Sequence, residues 1–334
     1  MRPLRITHVV RSDSFAGVER YVTDVATELS GRGHGVTVVG GDPELMQSAL
    51  HSAEDYQPAA TTREVAVALA RLGRQDVVHA HMSAAEFAAV LTRPMHRAPV
   101  VATRHFASQR GGSRVSRAVT RTVARRLARE ISISHFVADA SGPGSVVRHN
   151  GVRDRPAGTD RDRTVLVMQR LEAEKDTATA LRAFAACGLQ SQGWRLQVAG
   201  RGTERKALTD LALDLGLALE WLGFVGQPDH LLARTGILLA PAPAEPFGLT
   251  VVEAMAAGTP VVASAGGAHV ETVGPDGLLF PPYDVQACAD LLRRAAEDPD
   301  GRTRCGKTLR ARQQQLFALD RHIDALVAIY RSLR

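Results

Sequence analysis

Glu245-Pro-Phe-Gly-Leu-Thr-Val-Val-Glu253, running on through Ala-Met-Ala-Ala-Gly258-Thr-Pro-Val-Val262, joins a loop to a helix and that helix to a strand. Pro246 and Gly248 interrupt the chain before Leu249, and the apolar residues that follow suit a short helix closed by Gly258. Thr259-Pro260-Val-Val-Ala reads as the next strand. Glu245 then precedes a helix N-terminus, and Glu253 lies one to two turns inside the helix. Between them are free backbone N–H groups and the positive end of the helix dipole, a seat for phosphate. Carboxylates beside such a seat would repel the anion unless they face neutral hydroxyls. The arrangement fits a ligand carrying both phosphate and hydroxyls, as a nucleotide sugar does.

Outward from this junction, apolar runs alternate with amphipathic stretches, as in βα units around parallel sheets. Strands are expected at Leu4–Val10, Val36–Val39, Val77–Ala80, Pro99–Thr103, Ile131–Ile133 and Val146–Arg148. Val18, Val22, Val25, Ala26 and Leu29 repeat at helical spacing between the first two. The polar stretch 153–163, with Pro and Gly and no apolar period, is the expected linker. The pattern restarts at Val165–Met168 and continues through Arg195–Ala199, Leu219–Leu222, Ile237–Ala240 and Val261–Ala263, with helices over Thr177–Cys187 and Glu204–Leu215. Arg321–Leu333 is a last amphipathic helix with no strand after it. The expected division is a first domain over 1–152, a linker, a second domain over 164–316, and a C-terminal helix over 317–334 packing back on the first domain.

The chain has 334 residues, enough for two cores. No apolar run approaches the roughly 20 residues of a membrane span, and the start lacks a signal-peptide core. A soluble, cytoplasmic protein is expected. The three cysteines, Cys187, Cys288 and Cys305, make no close pair, so neither a disulfide framework nor a zinc knuckle is indicated. The net charge of +6 rests almost wholly on arginine, the lysines being Lys175, Lys206 and Lys307. With the abundant alanine this is the composition of a GC-rich, bacterial genome. No aromatic-interleaved basic patch points to nucleic acid.

Two α/β domains hold ligands at the carboxyl ends of their strands. After Val165–Met168 come Gln169, Arg170 and Lys175; two cations there suit a diphosphate, and the plain alternative is a pairing with Glu172 or Glu174. Gly200-Arg-Gly202 is a lone G-x-G, and Arg11–Gly17 also lacks the dinucleotide fingerprint, which argues against hydride chemistry. Gly266-Gly267 suits either close approach to a ligand or a plain turn. His79 and His81 share a strand face but lack a spaced third ligand, so no metal is assigned. His105, at a strand end, is a cleft candidate. Arg110, Arg114, Arg117, Arg121, Arg125 and Arg129 recur as one basic stripe on a helix, more in keeping with a solvated face than with docking to an acidic partner or peripheral contact with a membrane.

Glu245 to Glu253 resembles the E-x7-E signature of retaining glycosyltransferases, closest to family 4 with the GT-B fold: α/β, two Rossmann-like domains whose parallel sheets face a cleft. Ala16-Gly17-Val-Glu-Arg20 resembles that family's first-domain glycine loop. Asp76–His81, Val101–His105, Ser134–Val137 and Asn150-Gly-Val152 resemble its later first-domain landmarks. Arg170-Leu-Glu-Ala-Glu-Lys175 resembles its diphosphate-binding R-x4-K element, and Leu222-Gly223 and Gly266-Gly267 fit later positions. The order and spacing of these elements cover nearly the whole chain.

The resemblance implies that Arg170 and Lys175 neutralise the leaving diphosphate. Phe247, Gly248 and Leu249 would present backbone amides to the donor, Glu253 would hold the ribose, and Glu245 a hydroxyl of the donor sugar. His105 would lie by the reacting centre from the acceptor side. Gly17 and Gly200 would let backbone approach the donor. The implied activity is retaining transfer from a nucleoside-diphosphate sugar, with UDP first by family frequency, to a small-molecule or glycolipid acceptor, using no metal and no cofactor beyond that cosubstrate. Another GT-B enzyme, an epimerase or phosphorylase, and a silent nucleotide-sugar-binding partner subunit are the alternatives. Ala16 replaces a common glycine, Gln169 stands where glycine is usual before Arg170, and Gly200-Arg-Gly202 lacks the usual acidic residue.

Overall fold

The structure is a computed structural model that describes residues 2–12, 15–50, 56–108, 114–142, 144–275 and 277–333, with 114–116 as backbone only. The chain divides into two compact units, Met1–Gly151 with Leu319–Arg334, and Val152–Ala318.

The first unit is built from β1 (Arg5–Val10), α1 (Gly17–Gly31), β2 (Gly35–Val39), α2 (Pro43–Ala49), β3 (Tyr56–Gln57), α3 (Thr62–Arg71), β4 (Val77–His81), α4 (Ser83–Leu91), α5 (Arg93–His96), β5 (Val100–Arg104), α6 (Arg114–Ala124), β6 (Arg129–Ser132), α7 (His135–Ser141) and β7 (Val146–Val147). Its strands form one sheet in the order β3-β2-β1-β4-β5-β6-β7, every pair parallel. The strands read as apolar runs because helices cover both faces. On α1 the expected face of Val18, Val22, Val25, Ala26 and Leu29 is buried.

The second unit contains β8 (Thr164–Met168), a 3-10 turn at Ala173–Lys175, α8 (Thr177–Cys187), β9 (Arg195–Ala199), α9 (Arg205–Asp214), β10 (Leu219–Gly223), α10 (Asp229–Arg234), β11 (Ile237–Ala240), α11 (Leu249–Ala256), β12 (Val261–Ser264), α12 (His269–Thr272), β13 (Leu278–Phe280), α13 (Val285–Glu297) and α14 (Pro299–Leu316). Its sheet runs β10-β9-β8-β11-β12-β13, again parallel throughout. The last helix, α15 (Leu319–Ser332), belongs to the first unit, where Leu319, Ile323, Leu326, Val327 and Tyr330 join the core with α1 and β1.

In each sheet the strand order reverses once, between β1 and β4 and between β8 and β11. Ligands of open α/β sheets bind beyond the carboxyl ends of strands at such a switch point. The loops that matter are therefore those after β1, β4, β8 and β11.

Three features differ from the sequence expectation. Stretch 153–163 has no helix or strand, yet it is fastened to the second unit rather than free: Gly158 N–H donates to the Ala257 carbonyl, and Arg161 donates to the carbonyls of Ala233, Thr235 and Ala257. The arginine stripe is not one helix. Arg110 lies outside the described residues, α6 ends at Ala124, and Arg129 opens β6, paired with Val101. Burial of Val123 and the pairing of β6 win over continued helical spacing. The short strands β3 and β13 carry too few residues to show a period.

Candidate functional site

In the second unit, the turns after β8, β9 and β10 are laced together. Gln169 N–H donates to Ala199, Leu171 N–H to Arg201, and Gly200 N–H to Gly223. Gly200 has φ +145, and a side chain there would collide with the Gln169 carbonyl, so only glycine lets these two strand ends meet. Gln169, which stands where the resemblance puts a glycine, has a job of its own. Its side-chain amide donates to the Lys175 carbonyl and the Thr177 hydroxyl, each at 2.9 Å, and so braces the Lys175 turn.

Lys175 reaches from that turn to the loop after β11 and donates to Glu245 Oε2 at 2.6 Å. Both side chains are largely buried, 15% and 16% exposed. Burial alone would raise the Glu245 carboxyl; Lys175, His269 and the Gly248 N–H outweigh it and leave its pKa below the usual value. Arg170 is more exposed and pairs with Glu174 at 2.7 Å, the plain alternative noted above. Glu172 is held instead by Thr203.

The diglycine proves to be the floor of this site. Side chains at Gly266 and Gly267 would strike the backbone of Pro243 to Glu245, and Ala268 N–H donates to the Glu245 carbonyl. The close approach is between two loops of the chain itself. Gly248, at φ +87, is the N-cap of α11, and Phe247 is buried against Phe317. The helix ends as expected at Gly258, φ +68, in a Schellman closure with Gly258 N–H on Met255 and Thr259 N–H on Ala254.

Glu253 is buried and accepts from Arg155 at 3.1 Å; Arg155 also pairs with Asp229. Arg155 went unnoticed in the sequence because it sits in the supposed linker. His269 was missed too. It is buried, donates from Nδ1 to the Ser264 carbonyl at 3.1 Å, and faces Gly248 and Glu245. No motif flags it beyond its place after the diglycine.

In the first unit, Gly17 opens α1. The buried Glu19 carboxylate accepts from the Ala16 N–H at 2.8 Å and the Ser12 hydroxyl at 2.5 Å, shaping the described part of the loop after β1. Asp13 and Ser14 lie outside the described residues. His105, just beyond β5, does not stand alone. Its Nε2 meets His81 Nδ1 at 3.0 Å, and His81 Nε2 meets His8 Nδ1 at 3.0 Å. His79 meets Tyr330 and Thr103, and Tyr21 meets His322 at 2.8 Å. Burial pulls His8 and His105 down to about 3 and His322 to about 4, with His79 and His81 also well below 6.5. All five rings are neutral at pH 7. The structure thus gathers His8 and His322, which no sequence spacing groups with the others, around His79, His81 and His105.

Among the described residues no helix is long and apolar enough to cross a membrane.

Two family models match successive parts of the chain: "Glycosyltransferase Family 4" over residues 15–153 and "Glycosyl transferases group 1" over 153–312. The chain is 29% identical to a glycogen synthase of Mycobacterium tuberculosis, over 99% of this chain and 94% of that one. It is 33% identical to a D-inositol 3-phosphate glycosyltransferase of Saccharomonospora viridis, over 52% of this chain and 44% of that one. Anabaena HepE, solved in complex with UDP-glucose, has the same fold: TM-score 0.85 over 99% and 100% of the two chains, at 21% identity. The fold and these matches define a GT-B glycosyltransferase. The chain belongs to glycosyltransferase family 4.

Proposed function

We propose that the protein transfers a sugar, with retention of anomeric configuration, from a UDP-sugar to a small-molecule or glycolipid acceptor. The observation that carries this reading is the Lys175–Glu245 pair at the switch point of the second sheet, beside the N-terminus of α11. An ion pair that keeps some exposure is ready to exchange partners. Lys175 turns to the diphosphate, joined by Arg170 from its exposed pairing with Glu174, and the freed Glu245 accepts from a hydroxyl of the donor sugar. The amides of Phe247 and Leu249 are offered to the same anion, and that of Gly248 joins them once Glu245, to which it now donates, has moved. Glu253 accepts from ribose hydroxyls, sharing its oxygens with Arg155. Gly200 keeps the neighbouring strand ends in contact, and Gly17 starts the matching first-unit loop.

The transition state is an oxocarbenium-like sugar leaving a diphosphate, so preorganised positive charge on the leaving group is the main requirement. His105 is a neutral hydrogen-bonding group on the acceptor side of the reacting centre. The protein cations do the work that a divalent metal does elsewhere, and transfer should run at an unchanged rate in EDTA. The UDP complexes of Anabaena HepE support UDP as the nucleotide. Calorimetric titration with UDP, GDP and ADP, followed by mass-spectrometric detection of sugar transfer, tests the proposal. UDP should bind tightest; no binding of any of the three would remove the donor assignment.

A further inference from the structure

The buried polar groups of the first unit form two hydrogen-bond chains, and the protons of both can be placed. The first ends at His322, whose ring is bonded to the His149 backbone in a way that favours the protonated imidazole. The acceptor is therefore the His149 carbonyl, and with Nε2 taken by Tyr21 the donor is Nδ1–H. His322 is neutral, so its Nε2 must accept from the Tyr21 hydroxyl. Tyr21 in turn is bonded by Thr103. Thr103 then accepts from His79 Nε2–H at 2.7 Å, and His79 Nδ1 accepts from the Tyr330 hydroxyl at 2.6 Å. One backbone carbonyl sets every link.

The second chain is His8, His81, His105. Each ring carries one proton, so only two head-to-tail orders exist. In one, His105 donates to His81, His81 to His8, and an N–H is left at His8 Nε2. That atom is fully buried and has no partner among the described residues. In the other order His8 Nδ1–H donates to His81 Nε2, and His81 Nδ1–H donates to His105 Nε2. Only a bare lone pair is then stranded at His8 Nε2, and buried acceptors are left short more often than buried N–H donors. The second order leaves the proton of His105 on Nδ1, to which no described residue is bonded.

We propose that His8 and His81 are positioning residues that lock His105 as the neutral Nδ1–H tautomer, making it a fixed hydrogen-bond donor to the reacting sugar or acceptor instead of a base. The part concerning the reacting groups rests on the function proposed above; the tautomer itself does not. A metal at the same place is the competing use of these rings, since donor nitrogens of His8, His79 and His81 lie within 4.8 Å of one another. Both nitrogens of His79 and of His81 are already in hydrogen bonds, which a cation would have to break.

Long-range proton–nitrogen spectra of the 15N-labelled wild-type protein at pH 7.5 read the tautomers directly. His8, His81 and His105 should all show protonated Nδ1, and elemental analysis should find no bound transition metal. Protonated Nε2 at His105, or one equivalent of zinc, overturns the proposal. His8→Phe removes the first donor and frees the chain to reverse. It should give a tautomer mixture at His105 and lower kcat on the order of tenfold or more, with UDP affinity unchanged. His8→Asn, whose amide takes the place of Nδ1–H, should restore both. An unchanged His105 tautomer in His8→Phe refutes the lock. Protonated Nδ1 throughout, with normal transfer by His105→Ala, sustains the lock and removes His105 from the reaction.

Discussion

Toward the carboxyl ends of the first sheet, five histidines and two tyrosines sit together with no more than 6% exposure. At the corresponding place in the second, Lys175 and Glu245 meet at 2.6 Å with about one sixth of each side chain still open. Both are polar groups taken out of water. The first set pays by giving up charge, because an imidazole can be neutral at little cost near pH 7. The second keeps its charges and pairs them. A neutral, hydrogen-bonded network holds a geometry and resists change. A paired charge can be lent to an incoming anion. The two units are thus suited to different tasks, positioning in one and charge stabilisation in the other.

The largest expected effect comes from removing the lent charge. Lys175→Ala and Arg170→Ala should each lower kcat on the order of 10²–10³-fold, with circular dichroism unchanged. Lys175 carries the greater effect, since its loss also leaves the buried Glu245 without its countercharge. Near-normal turnover in both would erase the assigned contrast between the units. Glu253→Gln should act on nucleotide affinity instead, read as a weaker UDP dissociation constant by calorimetry.

Acid separates the units by stability. The histidines of the first unit have pKa values lowered from 6.5 in the fold. The unfolded chain therefore binds more protons than the folded one below pH 6.5. Their contribution is complete above that pH and is lost as pH falls from 6.5 towards 3. Each such group removes up to about 1.4 kcal/mol per pH unit in that window. The groups that face them, Tyr21, Tyr330 and Thr103, bring no compensating negative charge. In the second unit His269 has the same sign, but it is one group against five, and the lowered Glu245 carboxyl loses its contribution only below about pH 4.5. Hydrogen exchange between pH 7.5 and 5 should show the first unit opening first. Uniform loss of protection in both units would break the comparison.

A smaller effect belongs to the backbone that brings the second site together. Gly200→Ala forces a side chain onto the Gln169 carbonyl at φ +145 and should cost about 1–3 kcal/mol, seen as a lower midpoint in urea. Gly216→Ala, also at positive φ but in open space, is the control and should cost less.

What the sequence disclosed and what it concealed follows the same divide. The second site is written along short stretches, Arg170 to Lys175 and Glu245 to Glu253, so charge spacing and a helix start reveal it. The strand runs and the α1 face were legible because burial imposes a period over many residues. His8 and His322 were not, because they lie in different elements 314 residues apart in sequence order and only the sheet and α15 bring them together. Arg155 was hidden for another reason: a polar, Pro-containing stretch without a period looks the same whether it hangs free or is bonded along its length. The stripe from Arg110 to Arg129 failed because three- and four-residue spacing can run across a helix, a turn and a strand.

The smallest expected effect tests what holds α15 in the first unit. Arg32 on the tail of α1 pairs with Asp320 and Asp324, each at 2.6 Å, while the aspartates remain 79% and 74% exposed. Pairs of that kind contribute roughly 0–1 kcal/mol and fade with salt. The apolar side of α15, with Ile323 and Leu326 fully buried, carries far more through area removed from water. Arg32→Gln should therefore lower stability by under about 1 kcal/mol in low salt and by nothing measurable at 1 M NaCl, whereas Leu326→Ala should cost about 2–5 kcal/mol at either salt concentration. If the arginine variant were the more damaging, charge and not burial would be fixing α15. The neutral His79–Tyr330 chain would then depend on a surface contact, and the first unit would no longer stand apart from the second as the one stabilised without charge.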